Sequence, residues 1–153
     1  MRFLLGCLML TASAIFALAD TQTRVPTGNG TYWSWTASTG TTWGCVDDDP
    51  ASPDDATTYV YRQASNDNHL FTFSAFTVPA GSVSISLKVY YRVWRTAAGA
   101  TQASAWIRIN GNDYLQSSQG ITETWTTSNY TWATNPSSGG NWTVDEINGV
   151  GTH

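Results

Sequence analysis

Two stretches of the chain alternate apolar and polar residues with a period of two, which is typical of β-strands with one buried face. The first stretch runs from Val83 to Thr96 and the second from Gln102 to Asn110, and a short segment around Gly99 joins them. If the chain reverses at Gly99, the aliphatic residues of both stretches share one side of a hairpin. The pairs expected on that side are Val93 with Ala105, Tyr91 with Ile107, and Val89 with Ile109. A slip of one residue would mix apolar with polar side chains, so the pattern itself favours this register.

The other side of this predicted hairpin collects aromatic rings and guanidinium groups. Its pairs would be Arg92 with Trp106, Tyr90 with Arg108, and Trp94 with Ser104. Aromatic rings stack on the C–H faces of sugars, and arginine and tyrosine donate hydrogen bonds to hydroxyl groups. We therefore predict a ligand-binding face formed by Tyr90, Arg92, Trp94, Trp106 and Arg108. The alternatives are that these residues cover one another, with Arg92 over the Trp106 ring as a cation–π pair, or lie beneath a second sheet.

The rest of the chain also favours short strands separated by turns. Asn110-Gly111-Asn112 has tight-turn chemistry, and Thr143 with Glu146 fits a capping box for a single helical turn that Gly149 would end. Further strands are predicted at residues 31–37, 41–46, 57–63, 70–78, 113–116 and 121–133. About eight strands with one short helix near the C-terminus predict an all-β fold, an antiparallel β-sandwich of jelly-roll type.

The N-terminus has the pattern of a secretory signal peptide. Arg2 precedes an apolar run, and Ala17-Leu18-Ala19 forms a small-x-small cleavage site. We therefore predict a signal peptide at residues 1–19, a polar leader at 20–30, and a β-sandwich domain at 31–153. The protein is expected to be secreted and extracellular. No later stretch has the length of a bilayer span, so no membrane association is expected after cleavage.

The charge and the cysteine content of the chain argue against nucleic acid as a partner and against a disulfide within the mature chain. The formal net charge is −4, which argues against nucleic acid because such partners need a concentrated basic patch. Cys7 would leave with the signal peptide, so Cys45 remains alone, either as a small buried residue or as a thiol that pairs between chains. Six tryptophans outside the predicted face are expected mostly in the core: Trp33, Trp35, Trp43, Trp125, Trp132 and Trp142.

An acidic loop between the early strands is a candidate metal site. Carboxylate oxygens are the ligands that Ca²⁺ takes, and the loop offers Asp47, Asp48, Asp49 and Asp54. The alternative is a solvated loop whose Asp residues form turns and cap strands. Calcium is the one cofactor that the sequence suggests.

Catalytic residues are scarce. Glu123 and Glu146 are the only glutamates, and His69 is the only histidine apart from the terminal His153. A sugar hydrolase needs two carboxyl groups on either side of one bond, and no nucleophile motif surrounds His69. The protein is therefore predicted not to be an enzyme, with glycoside hydrolase as a remote alternative.

Three parts of the sequence carry a family resemblance: residues 135–150 with Asn-Pro-x-x-Gly followed by Trp-Thr-x-x-Glu-x-Asn-Gly, the Asp-rich loop at 47–50, and Tyr90-Tyr91-Arg92. Together they resemble uncharacterised jelly-roll-like β-sandwich modules of phage virion and tail proteins and of secreted bacterial or metagenomic proteins. The resemblance implies a jelly-roll-like fold in an extracellular or virion structural or adhesive setting, and no reaction. In such modules further strands usually follow this turn, so the resemblance leaves two alternatives: the sandwich lacks one or more closing strands, or it closes without them.

Together these features predict a secreted, non-catalytic β-sandwich module that binds a glycan or cell surface, or a structural part of an extracellular or virion assembly. The alternative is a self-assembling filament or fibre subunit. In such a subunit, exposed sheet edges would recruit a strand from a neighbouring chain, for example the leader at residues 20–30.

Overall fold

The computed structural model describes residues 20–62 and 68–149, so the predicted signal peptide and His153 lie outside the described residues. Within them, the protein is an all-β antiparallel sandwich with one short helix near its C-terminal end, which confirms the predicted fold class. The strands in chain order are β1 (Pro26–Trp33), β2 (Thr36–Ala37), β3 (Val60–Tyr61), β4 (His69–Phe73), β5 (Leu87–Val93), β6 (Gln102–Ala103), β7 (Trp106–Ile109), β8 (Asn112–Leu115), β9 (Gln119–Gly120) and β10 (Thr126–Trp132). The helix α1 spans Val144–Asn148.

The strand pairs are nested in two long hairpins. In the first ribbon, residues 26–73, β1 pairs with β4 and β2 pairs with β3. In the second ribbon, residues 87–132, β5 pairs with β10, β6 with β9 and β7 with β8. Folding such a nested hairpin over itself produces the two layers of a jelly roll.

The second ribbon reverses at Asn110-Gly111, so the predicted reversal at Gly99 is wrong. Asn110 and Gly111 have φ of +50° and +81°, the two positive values of a type I′ turn, and Ile109 pairs with Asn112 across it. Gly99 instead closes a local turn, in which its N–H donates to the carbonyl of Thr96 at 2.8 Å. That turn lies between β5 and β6, so the paired strands of the predicted hairpin belong to different ladders.

The core nevertheless follows the predicted alternation of inward and outward residues. Six buried side chains form one cluster: Leu87, Ala105, Ile107, Trp132, Trp142 and Ile147. Val89 and Tyr91 of β5 pack against it, as do Ile109 and Tyr114 from the other half of the ribbon. The two halves of the second ribbon therefore pack with their inner faces together. The inward side was predicted correctly for five of these residues: Val89, Tyr91, Ala105, Ile107 and Ile109.

A buried glutamine links these two halves. The side-chain carbonyl of Gln116 accepts a hydrogen bond from the Ala105 N–H, and its amide donates to the Tyr91 hydroxyl, both at 3.2 Å. Buried polar groups cost free energy unless they are paired, so this bridge satisfies polar groups of three residues at once.

The short helix is capped as predicted. The Thr143 hydroxyl accepts from the Glu146 N–H at 3.2 Å, and the Glu146 carboxylate accepts from the Thr143 N–H at 2.8 Å. This second bond lowers the pKa of Glu146. The cap places Ile147 in the core, and Asn148 accepts from the Val78 N–H at 2.8 Å, which ties the helix to the segment before β5.

The first ribbon departs from prediction at two places. β1 begins at Pro26, so the second half of the predicted leader is a strand paired with β4. Before it, the Gln22 and Arg24 side chains donate to the carbonyls of Thr77 and Ala75, so the leader lies against its own chain. Residues 43–45, predicted within a strand, form a 3-10 helix.

Cys45 ends that 3-10 helix as a buried residue. Its thiol donates to the Thr39 carbonyl at 2.8 Å. This contact favours the structural role over a thiol that pairs between chains.

The expectation that most of the six tryptophans lie in the core holds only in part. Trp132 and Trp142 are buried, and the Trp142 indole N–H donates to the Trp132 carbonyl at 2.8 Å. Trp33 is 69% exposed at the end of β1. The remaining three are half-buried: Trp35, Trp43 and Trp125.

Candidate ligand-binding face

Three of the five predicted ligand residues lie on one face of the β5–β10 ladder. Since Leu87, Val89 and Tyr91 point into the core, the residues between them point outward. We call this surface the outer face. Its pairs across the ladder are Lys88 with Thr131, Tyr90 with Asn129, and Arg92 with Thr127, and Trp94 follows directly after β5.

Tyr90 and Trp94 are the two aromatic platforms of the outer face. Tyr90 is 51% exposed, and the Lys88 ammonium lies 5.5 Å from its ring centre. Trp94 is 42% exposed, and its indole N–H donates to the Glu123 carbonyl at 2.9 Å. Four residues along a strand span about 13 Å, so the two rings are separate stacking positions on one side of the sheet.

A row of aromatic rings extends from Trp94 onto the first ribbon. The Trp94 and Trp125 rings stack with their centres 5.8 Å apart and an interplanar angle of 30°. Tyr59 lies 6.3 Å from Trp125, and Tyr61 lies 6.0 Å from Tyr59. Offset or edge-on aromatic pairs at these separations are mutually stabilising, so the row holds Trp94 in a defined orientation.

Arg92 lies between the two platforms and is bound by a loop of the first ribbon. The Asp55 carboxylate accepts from both its Nε and, at 2.8 Å, a terminal nitrogen, while the other terminal nitrogen donates to the Thr127 hydroxyl at 2.9 Å. These bonds from Arg92 hold the pKa of Asp55 below its ordinary value. Asp55 itself has φ of +50°, a left-handed conformation that aspartate tolerates better than most residues.

The other two predicted ligand residues lie elsewhere. Trp106 and Arg108 alternate with the buried Ile107 on β7. Because the halves of the second ribbon pack with their inner faces together, the outer residues of β5 and β7 point to opposite sides of the sandwich. The predicted contacts of Arg92 with Trp106 and of Tyr90 with Arg108 are therefore wrong.

Arg108 connects the two ribbons. Its guanidinium binds both oxygens of Asp113, at 2.6 and 3.0 Å, and donates to the hydroxyls of Thr31 at 2.8 Å and Tyr32 at 2.9 Å. It also lies 4.4 Å from the Tyr32 ring centre and 5.9 Å from that of Trp106. With its donors directed at protein oxygens, this arginine has a structural role between β1 and β7.

The acidic loop uses several of its carboxylates to bind its own backbone. Asp54 accepts from the Thr58 N–H and hydroxyl, Asp48 accepts from the Asp54 N–H, and Asp49 accepts from the Ala51 N–H. In residues 20–62 and 68–149, no group of three or more His, Cys, Asp or Glu side chains is placed to hold a metal ion. The calcium site at Asp47, Asp48, Asp49 and Asp54 stays a prediction.

A buried histidine next to β1 gives the fold a pH dependence. His69 Nδ1 accepts from the Trp35 N–H at 3.3 Å, and Nε2 lies 3.3 Å from the Asn29 side-chain oxygen, an arrangement that suits the neutral ring. Burial lowers the pKa of His69 below 6.5. Since the unfolded chain then binds the proton more readily, this contribution to stability is complete above pH 6.5 and is lost as the pH falls below it.

We therefore expect the free energy of unfolding, measured in urea, to decrease between about pH 7 and 5. The variant His69→Gln should show a flatter profile over that interval, although it is less stable at pH 7. If the free energy of unfolding fell equally steeply with pH in the variant and in the unmodified protein, His69 would not be the group responsible. The pH dependence would then come from other titratable groups.

Sequence reasoning missed Asp55 and Trp125 as members of the outer face. Trp125 could have been found by pairing residues at equal distances on either side of the turn at Asn110-Gly111. This pairing brings the strand that follows Trp125 beside the strand that precedes Trp94. Asp55 had no local signal, since it is 37 positions from Arg92 in the sequence.

Comparison with protein-family models, curated proteins and solved structures finds no match to this chain. No helix within the described ranges has the length and apolar content that crossing a bilayer requires.

Proposed function

We propose that this protein is a secreted, non-catalytic module that binds glycans through the outer face of the β5–β10 ladder. The observation that carries the proposal is the pair of exposed rings, Tyr90 and Trp94, on one side of a sheet with Arg92 between them. Sugar rings would stack on the two platforms, and the polar side chains of Asn129 and Thr127 lie directly across the ladder to bind hydroxyl groups.

The charged groups of this face favour binding over hydrolysis. Asp55 forms an ion pair with Arg92. Glu123 forms another with Arg95, in which a carboxylate oxygen lies 3.4 Å from a guanidinium nitrogen. A general acid needs a raised pKa, whereas pairing with arginine lowers the pKa of Asp55. A carboxylate held in this way is suited to orienting an arginine.

The test is an array of immobilised glycans probed with the purified protein and three variants. Trp94→Ala is expected to weaken binding by about tenfold or more, as truncation of a central aromatic contact does. Tyr90→Ala provides a second variant that leaves the stack of Trp94 on Trp125 in place. Trp33→Ala is the matched control, because it removes an exposed indole from the first ribbon.

Retention that depends on Trp94 and Tyr90 but not on Trp33 supports the proposal. Equal retention for all variants, or no retained glycan, overturns it. Sedimentation of the same samples addresses the self-assembly alternative, since a binding module remains monomeric and a filament subunit forms large species.

A further inference from the structure

The outer face carries two cationic side chains, Lys88 and Arg92, within an acidic protein. Three of the chain's seven Lys and Arg residues, Lys88, Arg92 and Arg95, lie within eight positions of one strand and its extension, although the net charge is −4. Arg95 turns its guanidinium to the carbonyls of Ile121, Thr96 and Ala97. Lys88 and Arg92 share the outer face with the two aromatic platforms, so cationic groups and stacking surfaces alternate along it.

The carboxylate on Arg92 comes from a loop rather than from the ladder. Asp55 approaches Arg92 with both oxygens, in the fork-to-fork geometry that arginine adopts with any carboxylate. Both side chains are about 30% exposed, so solvent and a carboxylate of a ligand can reach the same donors. Asp55 makes this contact from a backbone conformation with positive φ, which costs free energy in a non-glycine residue.

The chain contains a second pair of this kind for comparison. Asp113 also binds Arg108 with both oxygens, but it lies directly across the β7–β8 ladder. Arg108 is further held by two hydroxyls and covered by the Tyr32 ring. The Arg108 pair is thus built into the sheet, whereas the Arg92 pair lies between two stacking platforms and depends on one loop.

We propose that the Asp55 carboxylate occupies the position of a uronic-acid carboxylate, and that the outer face binds acidic polysaccharides. This inference rests on the proposed glycan-binding function and names its ligand class. On binding, the sugar carboxylate replaces Asp55 on Arg92, the sugar rings stack on Tyr90 and Trp94, and Lys88 approaches a neighbouring acidic sugar. Asp55 then turns into solvent, so the loop competes with the ligand for Arg92.

The experiment compares two ligands that differ at the carboxyl group, which is ionised in polygalacturonate and uncharged in its methyl ester. The protein should bind the acid more tightly than the ester, and the difference should shrink with added salt, because exposed ion pairs are screened. Asp55→Asn removes the competing charge, and is expected to raise affinity for the acid by about two- to fivefold, the range that exposed ion pairs contribute. Affinity for the ester should not rise.

The matched control is Asp113→Asn, which breaks the equivalent pair at Arg108 and should leave both affinities unchanged. Arg92→Gln should reduce the preference for the acid, with Lys88 left as the remaining cation, while the ester still binds. Equal affinity for acid and ester in the unmodified protein, or equal effects of Asp55→Asn and Asp113→Asn, overturns the inference. Neutral glycans retained in a Trp94-dependent manner would then still support the proposed function, whereas loss of all glycan binding would overturn both.

Discussion

Replacing Trp132 with alanine is expected to lower the free energy of unfolding by about 3–5 kcal/mol, the cost of truncating a large buried aromatic side chain. Trp132 is 6% exposed and pairs with Leu87 at the start of the second ribbon. Its ring packs edge-on to Tyr130 with the centres 4.6 Å apart, and its carbonyl accepts from the Trp142 indole. The change therefore leaves a cavity where the ribbon meets the segment leading into α1.

The measurement is a urea unfolding curve, with Trp33→Ala as the matched control. Trp33 is the same residue type in a strand, yet it is mostly exposed, so its removal should change stability by no more than about 0.5 kcal/mol. Similar losses for the two variants would contradict the core described here, because burial would then not distinguish them.

The side on which each residue lies could be predicted from the sequence, because the period of two is a local property of a strand. Val89, Tyr91 and Ile107 contact the core as predicted, and Tyr90, Arg92 and Trp94 point outward. The capping box at Thr143 was also predictable, since its two bonds join residues three apart. In both cases the physical cause lies within a few residues of its effect.

The neighbour of each strand could not be predicted in the same way. The alternation in β5 is satisfied equally by β7 or by β10 alongside it, so the pattern does not choose between a reversal at Gly99 and one at Asn110-Gly111. The choice depends on which turn supports two positive φ values, and the segment around Gly99 forms only a local turn. Reversal at Gly99 would have put Trp106 beside Arg92, and the actual fold puts Trp125 beside Trp94 instead.

The residues of the candidate site were likewise predictable only where they belong to one strand. Its strand residues followed from the alternation, whereas Asp55 reaches Arg92 through a loop whose path depends on tertiary contacts such as Tyr59 with Trp125. The five predicted ligand residues were divided between two sides for the same reason. Their outward orientation was local information, but the packing of the two halves of the ribbon was not.

Changing Gly111 to valine is expected to lower the free energy of unfolding by about 2 kcal/mol, because a β-branched residue is strained at positive φ. Gly111 has φ of +81°, and a Cβ there would meet no atom within 4 Å, so the cost comes from the backbone conformation rather than from a clash. A type I′ turn sets the register of the strands that it joins. The strain therefore acts on the turn that aligns β7 with β8.

Gly120→Val is the control for this change, since Gly120 lies in β9 with open space around its Cβ position and without a positive φ. Urea unfolding should show little loss for Gly120→Val and the full loss for Gly111→Val. A third variant, Gly99→Val, compares the two turns directly, with a modest cost expected from contact of the new Cβ with the Thr96 carbonyl at 3.1 Å. A loss for Gly111→Val no larger than that for Gly120→Val would contradict the strain assigned to the turn at Asn110-Gly111.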